Sequence, residues 1–328
     1  MTTTEAKVPR VLVRAGERGP DFRSGHPYNP RSEMHGWLLS RPAGLVRIAV
    51  NAAFLPPTKE SAIFHVHHRE EEWMYVLSGR GVAEVDGAEH AVGAGDFLGF
   101  PPGVGHHLRN ASGEELHYLA GGEIVGDVEV ADFPTVRRRL VRHGSRFSVY
   151  PLDAEVPFLP PEAEQALSAL VGPQRTVDSA RALVRAEDRA EPRRYQHAEN
   201  PRSELHYVPL SRPARLARVA VNLARVPPGR ESYVFHLHHV QEEWMFVLSG
   251  HGVAEVGDAE HDVGPGDFLG FPAGGPPHHL RNPSSEELVY LMGGDAVAGV
   301  EVVDYPRAGK RKLWLDSRRS AVYPLDPR

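Results

Sequence analysis

Residues 65–79 read HVHHREEEWMYVLSG, and residues 236–250 read HLHHVQEEWMFVLSG. The two stretches lie 171 positions apart (65 against 236). In each, two histidines stand one residue apart: His65 and His67, then His236 and His238. A β-strand repeats every two residues, so each pair projects from one face. A glutamate follows, Glu72 or Glu243, and further along each copy comes another histidine, His106 or His278. Three imidazoles and a carboxylate suit a first-row divalent metal. Four protein ligands on a metal that accepts six leave two positions open for substrate, water or dioxygen.

The duplication extends far beyond these stretches. RVLVRA at 10–15 returns as RALVRA at 181–186, NPRSEMH at 29–35 as NPRSELH at 200–206, and LVRIAVN at 45–51 as LARVAVN at 216–222. GDFLGFP occurs at 95–101 and 266–272, and HHLRN at 106–110 and 278–282. The offset grows by one residue just before His278. The repeat divides the chain into residues 1–153, a linker at 154–180, and residues 181–328. The linker opens proline-rich (VPFLPPE) and continues through EAEQALSAL, whose spacing is helical, to Gly172-Pro173. Within each unit, short runs of Val, Leu, Phe and Tyr alternate with Gly, Pro and Asp turns, among them Asp86-Gly87 and Gly257-Asp258. That pattern predicts an all-β sandwich or small barrel.

The chain has 328 residues, enough for two cores. It has no cysteine, which excludes disulfides and thiolate ligands and leaves nitrogen and oxygen donors. The formal charge of −6 disfavours nucleic acid as a partner. No apolar run is long enough to span a bilayer, and nothing resembles a signal peptide, so a cytoplasmic location is expected. The basic runs Arg137–Arg139 and Lys310–Lys312 read as solvated surface.

These residues resemble the cupin superfamily, and the chain is similar to a bicupin. The first family motif is matched by His65, His67, Glu72 and Gly79, and again by His236, His238, Glu243 and Gly250. The second is matched by Gly95, Pro101, Gly103, His106 and Asn110. It recurs as Gly266, Pro272, Gly274, His278 and Asn282, with one extra residue before the histidine. The glycine that opens the first motif is replaced by Lys59 and Arg230. The resemblance implies two tandem jelly-roll (double-stranded β-helix) barrels joined by a short, partly helical linker. It implies one divalent metal (Fe, Mn, Cu, Ni or Zn) per barrel, hence two per chain. It also implies a pseudo-dimer within one chain, open to further oligomerisation, in which the first β segment of each unit pairs with the other unit's sheet.

Two readings concern the glutamate. Glu72 lies an odd number of steps past His67, so His68–Glu71 must form a turn or bulge that resets the face. Glu71 and Glu242 are the alternative ligands, and the spacing to Gly79 and Gly250 favours Glu72 and Glu243. Gly103 and Gly274 allow the turn that returns the last histidine to the site. Strand alternation should turn His68, His239, His107 and His279 outward. His35 with His206, and His90 with His261, read as packing or rim residues, and Trp73 and Trp244 as core. Arg47 and Arg218 sit in apolar strands, where they either bind an anionic substrate group or face outward to a carboxylate.

Open metal positions in a barrel suggest a metal-dependent oxidoreductase or dioxygenase acting on a small organic molecule. An isomerase resembling the sugar-phosphate isomerases of this superfamily, with the metal as Lewis acid, and a non-catalytic metal- or ligand-binding protein are the alternatives. Bicupin oxalate enzymes carry an arginine just before the first ligand. Here that stretch is Ser61-Ala62-Ile63-Phe64, so a substrate other than oxalate is expected.

Overall fold

The computed structural model describes residues 11–19, 21–154, 181–296, 299–316 and 319–325, so most of the linker read at 154–180 lies outside the described residues. The described chain is all-β apart from short 3-10 turns, and it folds as two tandem jelly rolls. In the first half, one sheet runs in the order Leu183–Val184, Phe97–Phe100, Glu72–Ser78, Leu116–Glu123, Ile48–Leu55, Asn29–Leu38 and Phe22–His26. The facing sheet contains His65–His67 between Val128–Phe133 and Gly105–Arg109. The second half repeats this plan. There the His-bearing sheet narrows to a single bridge between His236 and His278. Pro276 and Pro277, next to the extra residue, have no N–H to give to a ladder. No helix among the described residues is long and apolar enough to cross a membrane.

The first strand of each unit does pair with the other unit's sheet. Leu12 opposes Leu269 and Val13 opposes Phe268, while Leu183 opposes Leu98 and Val184 opposes Phe97. The exchanged strands cover what would otherwise be open sheet edges. Buried Asp96 and Asp267 clasp them: each accepts a backbone N–H, from Ala186 at 2.9 Å and from Ala15 at 2.8 Å. The repeated GDFLGFP segments therefore serve the union of the halves. Their central glycines do so as well. A Cβ on Gly99 would lie 2.7 Å from the Ala214 Cβ, and one on Gly270 2.7 Å from the Ala43 Cβ. Only glycine lets each strand approach the facing turn of the other half this closely.

Three apolar clusters follow from this arrangement. Two fill the barrels, and the third lies between them, built from both halves. At its centre Trp73 and Trp244 stack with ring centroids 5.3 Å apart and planes 7° off parallel. The predicted turns form as well. Asp86 and Gly87 both have positive φ (47° and 81°), as a tight hairpin with right-handed strand twist requires.

Strand parity separates the two candidate glutamates. Along Glu72–Ser78, Met74 and Val76 pack in the barrel, while Trp73 and Tyr75 pack against the other half. Glu72 shares the first face and Glu71 the second. The buried Glu71 carboxylate accepts backbone N–H groups from Ala217, Arg218 and Val219 at 2.9–3.1 Å. Glu242 does the same for Val46, Arg47 and Ile48 at 2.9–3.2 Å. Each carboxylate gathers three consecutive amides of the other half. Glu71→Ala is expected to lower the unfolding free energy by roughly 3 kcal/mol, because it strands buried donors. Urea unfolding followed by tryptophan fluorescence measures this. A loss below about 1 kcal/mol would place the carboxylate among weak surface pairs.

Candidate metal centres

Each centre is assembled where the chain changes sheets. The His65–His67 strand belongs to one sheet and Glu72–Ser78 to the other, so the bend at residues 68–71 is the crossing that resets the face. The loop carrying the last histidine is tied down by a glycine. Gly103 (φ 91°) donates its N–H to the His67 carbonyl at 2.8 Å, and Gly274 (φ 69°) donates to that of His238 at 2.7 Å. Phe100 then stacks flat on His106, with centroids 3.8 Å apart, and Phe271 stacks likewise on His278.

In the first half, Glu72 Oε2 lies 2.9 Å from His106 Nε2, 3.4 Å from His67 Nε2 and 3.7 Å from His65 Nε2. In the second, Glu243 lies 3.0 Å from His278 Nε2, 3.5 Å from His238 Nε2 and 3.6 Å from His236 Nε2. All eight residues singled out by spacing therefore converge, four in each barrel. The Nδ1 side of the imidazoles is occupied from behind. His65 Nδ1 meets the Ile63 carbonyl at 2.9 Å and His106 Nδ1 that of Val104 at 3.2 Å, while His67 Nδ1 meets Glu129 at 3.0 Å. In the second half, Val234 and Pro276 provide the carbonyls, and Glu301 Oε1 lies 3.4 Å from His238 Nδ1. With a metal bound, a proton held on Nδ1 would leave the Nε2 lone pair facing the cluster, which is the tautomer a metal ligand needs. The donor set therefore fits a divalent metal.

Without a metal, the imidazoles of a cluster differ in charge. Burial, with the His65 charge beside it, lowers the His106 imidazole to about 4, and His278 is likewise lowered to about 4. Both are neutral at ordinary pH. Burial would raise Glu72, but the His67 charge and the hydrogen bond from His106 outweigh it and hold the carboxylate well below its usual range. Burial also opposes the charged form of His67. The Glu72 and Glu129 carboxylates overcome this and raise His67 to about 9, so a metal binding there would displace its Nε2 proton.

Glu129 and Glu301 went unnoticed in the sequence, although each sits mid-strand in an apolar run and recurs in the repeat (VEVADF, VEVVDY). The other histidines fall in different places. His68 and His239 do face outward, to Asp132 and Asp304, each at 2.9 Å. His107 and His279 turn away from the centres as expected, but they are buried against Glu60 and Glu255. His35 pairs with Asp21 and Glu33 at the rim, and His206 with Glu204.

Arg47 and Arg218 take the second of their two readings, with a partner in the other half. Arg47 binds Asp295 at 2.5 Å and the Val240 carbonyl. Arg218 binds Glu123 at 2.7 Å and the Arg69 carbonyl. Both guanidinium groups staple the halves together rather than face the metal clusters with free donors.

The surroundings of the two centres differ. A cavity of about 430 Å³ opens on the second, lined among others by Tyr195, His197, Tyr233, Tyr305, Lys312 and Trp314. Lys312 thus departs from the solvated-surface reading: its ammonium lies 3.8 Å from the Trp314 ring centroid. In the repeat, Ser24, Ala62, Phe133, Leu140 and Arg142 replace Tyr195, Tyr233, Tyr305, Lys312 and Trp314. Arg142 is neutralised by Glu70, which lies 3.9 Å from His67. Glu70 becomes Gln241 in the second half.

A family model described as "Cupin domain" matches residues 53–121 and again 222–294, each span enclosing one complete cluster. The chain is a bicupin of the cupin superfamily. The oxalate-binding protein of Thermotoga maritima is 28% identical over 110 residues, which are 34% of this bicupin and 91% of that protein. An uncharacterized protein of Methanocaldococcus jannaschii is 31% identical over 68 residues, 21% of this chain and 54% of that protein. The bicupin thus spans about half the length of that relative. Oxalate decarboxylase from Bacillus subtilis superposes with a TM-score of 0.52 at 16% identity, over 87% of this chain and 76% of that chain. At that identity the likeness is one of fold. In the bicupin, Glu129→Gln is expected to weaken metal retention at the first centre by roughly 10–100-fold, leaving the second unchanged. Competition with a chelator, followed by elemental analysis, reads this out, and unchanged retention at both centres would remove Glu129 from the site.

Proposed function

We propose that each barrel holds one divalent transition metal, on His65, His67, Glu72 and His106 and on His236, His238, Glu243 and His278. We further propose that the protein is a metal-dependent enzyme of the oxidoreductase or dioxygenase type, acting on a small organic molecule. One observation carries this reading: in both halves three imidazole Nε2 atoms surround one carboxylate, with Nδ1 facing a carbonyl or a second carboxylate. A metal bound there supplies Lewis acidity and, if it is iron, manganese or copper, access to one-electron chemistry.

The substrate is read into the second barrel. Its cavity combines tyrosine rings with Lys312, and a small organic anion suits such walls. Burial raises the Tyr233 and Tyr305 hydroxyls above their ordinary range, Tyr305 to about 12, so both remain neutral donors. The residues around the first centre suit an anion less well: Leu140 stands where Lys312 does, Phe133 where Tyr305 does, and Arg142 is neutralised by Glu70. An isomerase in which Arg47 and Arg218 grip phosphate gains no support, since both are held by carboxylates of the opposite half.

Elemental analysis of protein purified without added metal or a histidine tag is expected to give about two equivalents per chain, and about one in either His106→Ala or His278→Ala. Oxygen uptake with a panel of small carboxylic acids is expected to fall at least 100-fold in His278→Ala, with a smaller loss in His106→Ala. Turnover retained in the double variant would refute the metal-dependent reading.

A further inference from the structure

Behind the metal centres, each half has a second acidic site that the chemistry above does not use. In the second half it is filled from within. The Arg307 guanidinium binds Glu255 at 2.6 Å and lies 4.1 Å from the Phe235 ring centroid. Glu255 also receives Arg281 at 2.7 Å and His279 at 2.9 Å. Beside it, Glu231 is buried and held by Asn200 and Arg202, each at 2.7 Å.

The first half keeps the same walls but lacks the plug. Glu60, Phe64, Glu84, His107 and Arg31 correspond to Glu231, Phe235, Glu255, His279 and Arg202, whereas Arg307 is replaced by Thr135. All of these first-half residues line a cavity of about 350 Å³. Glu60 retains Asn29 and Arg31 at 2.7 Å. Among the described residues, the basic group that pairs with Glu84 is His107, with Nδ1 at 3.8 Å, and Arg109 binds Glu89 instead. His107 is 8% exposed, and its Nε2 lies 3.3 Å from Glu60 Oε2 without the alignment of a hydrogen bond.

We infer that this cavity is a binding site for a small guanidinium-bearing cation, which takes the place that Arg307 occupies in the second half. The molecule carries its own template. A planar cation stacked on Phe64 would reach the Glu84 carboxylate, as Arg307 stacks on Phe235 and reaches Glu255. A compact ammonium matches the charge but not the flat face. A neutral amide of the same shape matches the face but leaves Glu84 without a cation.

The test is titration of the full chain with methylguanidinium chloride at low salt, with methylurea as the neutral isostere. The wild type is expected to bind one methylguanidinium per chain, with methylurea at least tenfold weaker. Glu84→Gln is expected to weaken binding at least tenfold. Thr135→Arg, which rebuilds the plug, is expected to abolish it. Arg307→Ala is expected to open the second site, raising the stoichiometry to two and allowing methylguanidinium to restore thermal stability lost in that variant. Should Thr135→Arg fail to fold, Glu84→Gln and Arg307→Ala still decide the matter. Absence of saturable binding to the wild type, or equal binding of methylurea, would overturn the inference. None of these readouts depends on metal or turnover, so the metal-centre reading stands or falls separately.

Discussion

The two-residue period of a single strand underlies both the sites and the union of the halves. On Glu72–Ser78 and its repeat Glu243–Ser249, even and odd positions face different environments. One face sends Glu72 to three histidines and Met74 and Val76 into the barrel. The other sends Glu71 to the backbone of the opposite half and Trp73 onto Trp244. A slip of one residue would exchange these faces entirely, placing the Glu72 carboxylate in an apolar interface. The centre and the interface therefore share one register, and neither can be altered along this strand without disturbing the other.

Much of the fold and the convergence of both histidine–glutamate clusters could be read in the sequence because they rest on local spacing. The histidine pair, the turn glycines and the Asp86-Gly87 hairpin are short-range patterns whose geometry follows from strand period and positive φ. What could not be read depends on pairing over long distances. Arg47 meets Asp295 across 248 positions, so its strand face alone could not show that its partner lies in the other half. Glu129 is 62 positions from His67 and belongs to neither motif. Lys312 was obscured by its neighbours: a run of three basic residues looks solvated until the strand alternates and sends one of them toward the cavity. His107 was placed on the correct face, but that face is covered by Glu60 and its neighbours rather than by water.

The duplication also separates what is maintained from what has drifted. The clustered histidines and glutamates, stacking phenylalanines, clasping aspartates and amide-gathering glutamates recur in both halves. The walls around the centres do not: a tyrosine-lined cavity with a lysine on one side corresponds to Phe133, Leu140 and a self-neutralised Arg142–Glu70 pair on the other. Because fold and ligand geometry are held by one set of residues and the surroundings by another, the two barrels can differ in ligand preference without losing their shared scaffold.

The exchange of Leu12–Val13 and Leu183–Val184 has a consequence for how the molecule would respond to being cut. Each half contributes a strand to the other's sheet, and each end of the exchange is fastened by an aspartate and packed into the partner's core. The halves are interlocked rather than merely tethered. The covalent passage between residues 154 and 181 raises the effective concentration of one half near the other while the chain folds. Once the strands have crossed, a nick there leaves the exchanged strands, the aspartate clasps and the Arg47 and Arg218 pairs in place. Separating them would mean withdrawing a strand from each sheet, so a cleaved chain would behave in solution as one particle.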